Sequence, residues 1–147
     1  MTAIRALVPL IFLGSATAWA ALGQPAESVE TDRHVLQGQM RRSELQGFTL
    51  HEITREDGNM VREFVSPAGI VFAVSWEGPS LPNLAQLLGS YFPQFQQAAR
   101  ARVRRRGPIV VRRGPLVVES GGHMRAFHGR AYLTSQIPGS LSQEVVR

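Results

Sequence analysis

The hydrophobic pattern is clearest in residues 84–103, where apolar side chains recur at helical spacing for about five turns. Pro93 interrupts this run, because proline lacks an N–H donor and its ring collides with the carbonyl of residue 89. Gly89 loosens the same turn. The pattern therefore predicts one amphipathic helix, kinked or broken near Pro93. A stripe that docks on a partner or a membrane surface is the alternative, but a sheet available to cover favours a core position.

Three shorter runs upstream of this helix have the composition of β-strands. Residues 48–54, 60–66 and 70–76 are rich in β-branched and aromatic side chains, and turn-forming residues separate them. The third run, IVFAVSW, is apolar on both of its faces. Because such a strand is typical of the middle of a sheet that is covered on both sides, the three runs predict an antiparallel meander with a buried third strand.

The C-terminal third also reads as β-structure. Two apolar runs, PIVVRR and LVVE, are separated by Gly114 and Pro115, which predicts a hairpin. A last strand is expected at residues 126–133, and Gly121 and Gly122 before it predict a turn or a bulge. The fold class expected from the whole pattern is α+β: an antiparallel sheet, made of the meander and the C-terminal strands, packed against one kinked amphipathic helix.

The first twenty residues, MTAIRALVPLIFLGSATAWA, have the order of a secretory signal peptide. One cation, Arg5, precedes a short apolar core, and small residues follow it. This order predicts cleavage between Ala20 and Ala21 and therefore a periplasmic or secreted protein. A membrane anchor is the competing interpretation, but a spanning helix needs about 20 apolar residues, which is more than this core provides.

Behind the signal we expect an arm and one domain. Residues 21–46 show only loosely helical apolar spacing, interrupted by Gly38, and predict a disordered or marginally helical arm. Residues 47–147 are expected to form a single α+β domain. The sequence contains no cysteine, so the domain must be stabilised by burial without disulfides even though export would permit them.

Charge is distributed unevenly along the chain. Residues 21–99 contain five arginines and nine acidic residues, whereas residues 100–147 contain ten arginines and two acidic residues. Guanidinium groups suit phosphate and carboxylate, so the run RARVRRRGPIVVRR predicts attraction to an anionic envelope polymer. The alternative is a solvated helix end. Nucleic acid is an unlikely partner because of the predicted export and because the run lacks aromatic residues for stacking. The candidate binding residues in this run are Arg104, Arg105, Arg106, Arg112 and Arg113.

The stretch SGGHMRAFHGRAYL holds the second set of candidate residues. Strand alternation places His128, Arg130 and Tyr132 on one face of the last strand. A half-buried strand is the favoured interpretation; the functional hypothesis is a polar stripe that binds an anionic or sugar ligand, with His123 nearby. A metal site is not predicted, because His123 and His128 are five residues apart and would face opposite sides of a strand.

Enzyme motifs are weak. The nucleophile elbow Gly-x-Ser-x-Gly, the zinc motif His-Glu-x-x-His and the Walker glycine loop do not occur in the sequence. A hydrolase that uses His123 with Glu119 is the main alternative function, but the spacing does not require it. No catalytic residue and no cofactor is therefore predicted.

Two segments, VREFVSPAGIVFAVSWEGPSLPNLAQLLGSYFPQF and LVVESGGHMRAFHGRAYL, resemble an uncharacterised family of exported bacterial proteins, the domain-of-unknown-function family 2844. The resemblance extends from about residue 27 to the C-terminus. It implies an envelope-associated or secreted protein and no catalytic residue or cofactor. The expected function is a non-catalytic module that binds an anionic partner or another exported protein; a structural accessory of an exported assembly is a further alternative.

Overall fold

A computed structural model describes residues 22–101 and 107–146. Its helices are α1 (Ser28–Leu36), α2 (Leu84–Leu88) and α3 (Phe92–Ala101). Its strands are β1 (Gln39–Leu45), β2 (Phe48–Thr54), β3 (Met60–Val65), β4 (Val71–Gly78), β5 (Ile109–Arg113), β6 (Leu116–His123) and β7 (Ala126–Leu133). The predicted signal peptide with its cleavage residues Ala20 and Ala21 lies outside the described residues, as do Arg104, Arg105 and Arg106.

The seven described strands form one sheet in the order β1-β2-β3-β4-β7-β6-β5, and each neighbouring pair is antiparallel. The first four strands are a meander. The chain then passes through α2 and α3 to the far edge, and β5, β6 and β7 return until β7 pairs with β4. The α+β class and the antiparallel sheet predicted from the sequence are confirmed.

The predicted amphipathic segment forms α2, a 3-10 turn at Gly89–Tyr91 and α3. Asn83 begins it, because its side-chain oxygen accepts hydrogen bonds from the backbone N–H groups of Ala85 and Gln86. Pro93 lies in the first turn of α3, where a helix does not need an N–H donor. Proline is therefore accommodated at the start of a new helical segment.

Strand β1 was missed in the sequence. It falls within residues 21–46, for which a disordered or marginally helical arm was predicted, and the helical part of that prediction corresponds to α1. As an edge strand with largely exposed side chains, β1 has no hydrophobic period to recognise. Its pairing with β2 orders it instead: seven consecutive residue pairs join the two strands.

The two faces of the sheet have separate cores. The helix-covered face, as we call the side that contacts α1, α2 and α3, contains Val29, Leu36, Ile53, Val61, Val74, Trp76, Leu87, Leu88, Phe95 and Val118. The opposite face contains Phe64, Phe72, Val117, Tyr132 and Val146. Residues 134–146, the C-terminal segment, supply Ile137, Leu141, Val145 and Val146 to this second core.

Strand β4 does not follow a simple alternation of faces along its whole length. Phe64 pairs with Ala73 but the next residue, Val65, pairs with Val71, so β4 has one extra residue, Phe72. As a result Phe72 and Ala73 both belong to the second core, while Val71 joins the first. The strand is nevertheless buried on both faces, as expected.

Three large apolar side chains in or beside the predicted elements are not fully buried. Val110 is 42% exposed, because β5 is an edge strand and Val110 faces away from the helices. Ile70 and Phe92 are half-buried. Each of the three lies at or beside the end of an element or at the edge of the sheet, where the hydrophobic pattern does not show how much neighbouring structure covers a side chain.

The turn predicted at Gly121 and Gly122 lies further along the chain. Both glycines belong to β6, and the reversal occurs at Met124 and Arg125. Gly122 has φ 113°, and a Cβ at this position would overlap the carbonyl oxygen of Ala126. The glycine therefore allows the two strands to approach closely just before they reverse.

Candidate binding cleft

The C-terminal segment covers only part of the second face of the sheet, and a cleft of about 370 Å³ lies beside it. Charged side chains line the cleft from four strands, β3, β4, β6 and β7, and Val146 of the C-terminal segment forms one border. Pro108 and Val110 provide an apolar side next to the β5 edge. The cleft thus has a polar floor and one apolar wall, and the apolar wall lies at the β5 edge of the sheet.

The register of the sheet brings the polar floor together. Arg62 pairs with Ser75, and Ser75 pairs with Arg130 on its other side. Arg130 pairs with Glu119, which in turn pairs with Val110. Directly paired residues of antiparallel strands point to the same face, so these five side chains form one row across five neighbouring strands.

Arg62 is held by two carboxylates. Its Nη2 donates to Glu77 Oε1 at 2.9 Å, and its Nε donates to Glu52 Oε1 at 3.3 Å. The three residues come from three different strands, β3, β4 and β2. Their bridges therefore fix the guanidinium in one orientation at the side of the cleft.

Arg130 joins β7 to two other parts of the molecule. Its Nε donates to Glu119 Oε2 at 2.8 Å, and its Nη1 donates to the carbonyl oxygen of Val146 at 3.1 Å. The guanidinium also lies 5.8 Å from the ring centroid of Tyr132. Arg130 therefore fastens the C-terminal segment to the sheet while it lines the cleft.

Glu119 also pairs with Arg112, whose Nη2 lies 3.5 Å from Glu119 Oε1. Arg112 itself is mostly exposed on the β5 edge. The lining charges of Arg62 and Arg130 are thus matched by Glu77 and Glu119, and the excess positive charge lies outside the cleft on β5.

His128 is exposed on the wall of the cleft and pairs with Glu77 on one side and with Gly121 on the other. A Cβ at Gly121 would lie 3.4 Å from His128 Nε2 and 3.3 Å from Pro108 Cβ. A side chain at Gly121 would therefore enter the space between the imidazole and Pro108. The absence of one keeps this part of the cleft open.

The remaining sequence-predicted residues lie elsewhere. Tyr132 shares the face of His128 and Arg130 but is only 1% exposed, and its hydroxyl donates to Gln143 Oε1 at 3.1 Å. The C-terminal segment therefore covers it, and the open polar stripe predicted from the alternation does not include it. Arg113 donates to Gln97 Oε1 on α3 at 2.6 Å.

The structure does not bring His123 and Glu119 together. They are four residues apart on β6, which corresponds to about 13 Å along a strand. The His123 Nδ1 instead lies 3.1 Å from the carbonyl oxygen of Met124 in the reversal. Because Arg130 and Arg112 hold the Glu119 carboxylate, it is not available to orient a histidine.

Sequence reasoning missed Arg62, Ser75 and Glu77 as members of the cleft. These residues are more than forty positions away from His128 and Arg130 in the chain, and only the pairing of β4 with β7 places them side by side. The signal that could have found Arg62 is a charged residue inside the otherwise largely apolar run at residues 60–66, which is expected to pair with the buried third strand.

The described ranges show neither a cluster of metal ligands nor a membrane-spanning helix. They contain no group of three or more His, Asp or Glu side chains that could hold a metal ion. Across residues 22–101 and 107–146, none of the helices has the length and apolar character needed to cross a membrane.

A family model described as "Protein of unknown function (DUF2844)" matches residues 18–146. The chain belongs to this family. No curated protein and no solved structure matches the chain. Membership of the DUF2844 family agrees with the resemblance seen in the sequence.

Proposed function

We propose that this DUF2844 protein is an exported, non-catalytic module that binds an anionic partner across the cleft and the adjoining β5 edge. The observation that carries the proposal is the position of the cleft: it opens beside β5, where Arg112 is exposed on the same face of the sheet. A partner in the cleft would therefore lie within reach of the excess positive charge.

The cleft and the β5 edge would make different kinds of contact with the partner. His128 and the partly exposed Arg130 offer hydrogen-bond donors inside the cleft, while Pro108 and Val110 offer an apolar contact. Arg112 lies outside, where its interaction with an anionic chain would be long-range and sensitive to salt. This arrangement suits an acidic polymer that carries both apolar and charged surface.

Export is part of the same proposal. Leu22, the second residue of the predicted mature chain, is buried, and its backbone N–H donates to the carbonyl oxygen of Leu87. Cleavage between Ala20 and Ala21 would leave every described residue in the mature chain. The N-terminal sequence of the protein isolated from its own cells tests this: a chain that begins at Ala21 supports export, and one that retains the leader contradicts it.

Binding is tested by titrating the purified protein with an acidic polysaccharide, alginate, and with neutral dextran of similar length, at two salt concentrations. Alginate is expected to bind at low salt and to lose affinity at physiological salt, because ion pairs with a polyanion are screened. Dextran is expected not to bind. Equal binding of both polymers, or affinity that does not change with salt, would contradict an anionic partner.

Two variants separate the cleft from general positive charge. Arg112→Ala is expected to weaken alginate binding, whereas Arg42→Ala is its matched control: Arg42 is also an exposed arginine of an edge strand and also pairs with a glutamate, at 3.0 Å. If the two variants lose affinity for alginate equally, any exposed arginine contributes to binding, and a localised site is refuted.

A further inference from the structure

Two buried carboxyl groups meet on the helix-covered face, far from the cleft. Glu63 on β3 is fully buried, with 0% exposure, and Asp32 on α1 is 1% exposed. The two side chains lie within hydrogen-bonding reach of each other. The pair therefore joins α1 to the sheet through two acidic side chains at a buried position, where an ionised group is unfavourable.

Most carboxylate oxygens of this pair lack a hydrogen-bond donor in the described residues. Gln86 on α2 donates its Nε2 hydrogen to Asp32 Oδ1 at 2.7 Å. The other oxygen of Asp32 and both oxygens of Glu63 are buried without a donor in the part of the chain that the structure describes. Two ionised carboxylates would leave these oxygens facing each other unpaired, whereas one added proton converts the contact into an O–H···O bond.

The surroundings provide no compensating cation. The sheet neighbours of Glu63 are His51 on β2 and Val74 on β4, and Ser28 lies one helical turn before Asp32. Burial, with a smaller contribution from Arg42, lowers the pKa of His51 below 6.5, so this imidazole is neutral above that pH. Within the described ranges no salt bridge reaches Asp32 or Glu63.

We propose that Asp32 and Glu63 form a proton-binding site that fastens α1 to the sheet. With the proton in place, one carboxyl group donates to the other and α1 is held against β3. Loss of the proton leaves two like charges in contact inside the protein, and their repulsion favours separation of α1 from the sheet. The attachment of this helix is thus set by pH.

The direction of the effect follows from the pKa of the pair. Burial, together with the neighbouring Asp32 charge, raises the pKa of Glu63 well above 4.5 in the folded protein. When α1 is detached, Glu63 regains its ordinary value and releases its proton at lower pH. The attached form therefore binds more protons between these two values, and attachment weakens as pH rises through that range.

Hydrogen exchange of the purified protein tests the site. Protection factors of the α1 amides are expected to fall about tenfold for each pH unit above 4.5, until the raised pKa of Glu63 is passed. The amides of the central strand β7 serve as an internal reference for global unfolding. Global unfolding also exposes Glu63, so the protection of β7 is expected to fall with the same slope but from a higher value. If the α1 and β7 amides have equal protection at every pH, α1 separates only when the whole protein unfolds, and the proposal is refuted.

Substitutions identify the groups. Glu63→Gln keeps the shape and supplies an N–H donor to Asp32, so the protection of α1 is expected to become independent of pH above 4.5. Glu30→Gln is the matched control, because Glu30 is an exposed acid of the same helix, and it should retain the wild-type slope. If Glu63→Gln does not fold, Asp32→Asn is measured instead: it removes the neighbouring charge that helps to raise the pKa of Glu63, so the fall in protection is expected to end at a lower pH than in the wild type. An unchanged slope in folded Glu63→Gln, or an unchanged end of the fall in Asp32→Asn, overturns the proposal.

Discussion

Three helices cover one face of the sheet in the described residues, whereas residues 134–146 cover only part of the other. On the first face the core is continuous, and even the acids Asp32 and Glu63 are excluded from water. On the second face Glu52, Glu77 and Glu119 are at least partly exposed, and an arginine holds each of them. One fold thus treats carboxyl groups in two ways: where cover is complete, burial raises the pKa of Asp32 and Glu63, and where cover is partial, the acids are ion-paired.

The difference in cover between the two faces indicates which face has room for a partner. Complete cover stabilises the fold but admits no partner, and a short irregular segment leaves a cleft at the price of less buried apolar surface. The polar side chains of the cleft satisfy one another across the strands, so the cleft persists as a formed site without a ligand. The following changes test how far the two faces differ.

The largest effect is expected for Leu87→Ala on the helix-covered face. Leu87 is fully buried, and its truncation should lower the free energy of unfolding by about 3 kcal/mol through lost burial and the cavity left behind. Leu141→Ala removes the same atoms from a half-buried position of the C-terminal segment, and about 1 kcal/mol is expected. Urea denaturation measures both, and equal losses would contradict the comparison.

Gly129 on β7 has neighbours so close that a side chain at this position would not fit. A Cβ at Gly129 would overlap the indole ring of Trp76 and lie 2.6 Å from the carbonyl oxygen of Glu119. Gly129→Ala should therefore cost about 2 kcal/mol. In Gly139→Ala the new Cβ would meet no described atom within 4 Å, and thermal unfolding should show little change; a comparable loss there would refute the explanation by overlap.

Replacing Arg130 with methionine should loosen the C-terminal segment. The variant loses the hydrogen bonds to Glu119 and Val146, and a loss of about 1 kcal/mol is expected after allowance for the partial exposure of the guanidinium. Faster proteolysis within residues 134–146 should accompany it. Arg42→Met, which breaks an exposed pair on β1, should change neither measurement; the explanation fails if the two variants behave alike.

Acid should act on the helix-covered face through His51. Burial lowers the pKa of this group in the folded protein, so the unfolded chain binds a proton that the folded chain does not, and stability falls as pH drops through 6.5 and below. His51→Gln should reduce this loss in urea denaturation at pH 5 and 7. His34→Gln alters an exposed histidine of α1 and is expected to leave the acid loss unchanged.

The smallest effect on stability is expected for His128→Ala. The imidazole is exposed on the cleft wall, so the free energy of unfolding should change by less than about 0.5 kcal/mol. Affinity for alginate should nevertheless fall, which isothermal titration calorimetry can measure. Full affinity in a folded His128→Ala protein would remove this residue from the proposed site.

The prediction from sequence succeeded where a local pattern carries the information. The strand at residues 126–133 was predicted with the bounds that the structure has, because its apolar and polar positions alternate and one side faces a core. Strand β1 was missed, because an edge strand is stabilised by backbone pairing, which leaves no period in side-chain polarity. The cleft was found only in part: His128 and Arg130 lie there, but Tyr132 is covered by a segment that the pattern left unassigned.

The sequence by itself determined the types of element in this protein and most of their positions, because periodicity, turn residues and helix caps act within a few residues of the chain. It also determined the family, whose model matches residues 18–146. The pairing of β4 with β7 was decided only by the tertiary structure. That contact joins residues 75 and 130 and brings the two halves of the polar row and of the cleft together, because side chains far apart in sequence become neighbours only when strands pair.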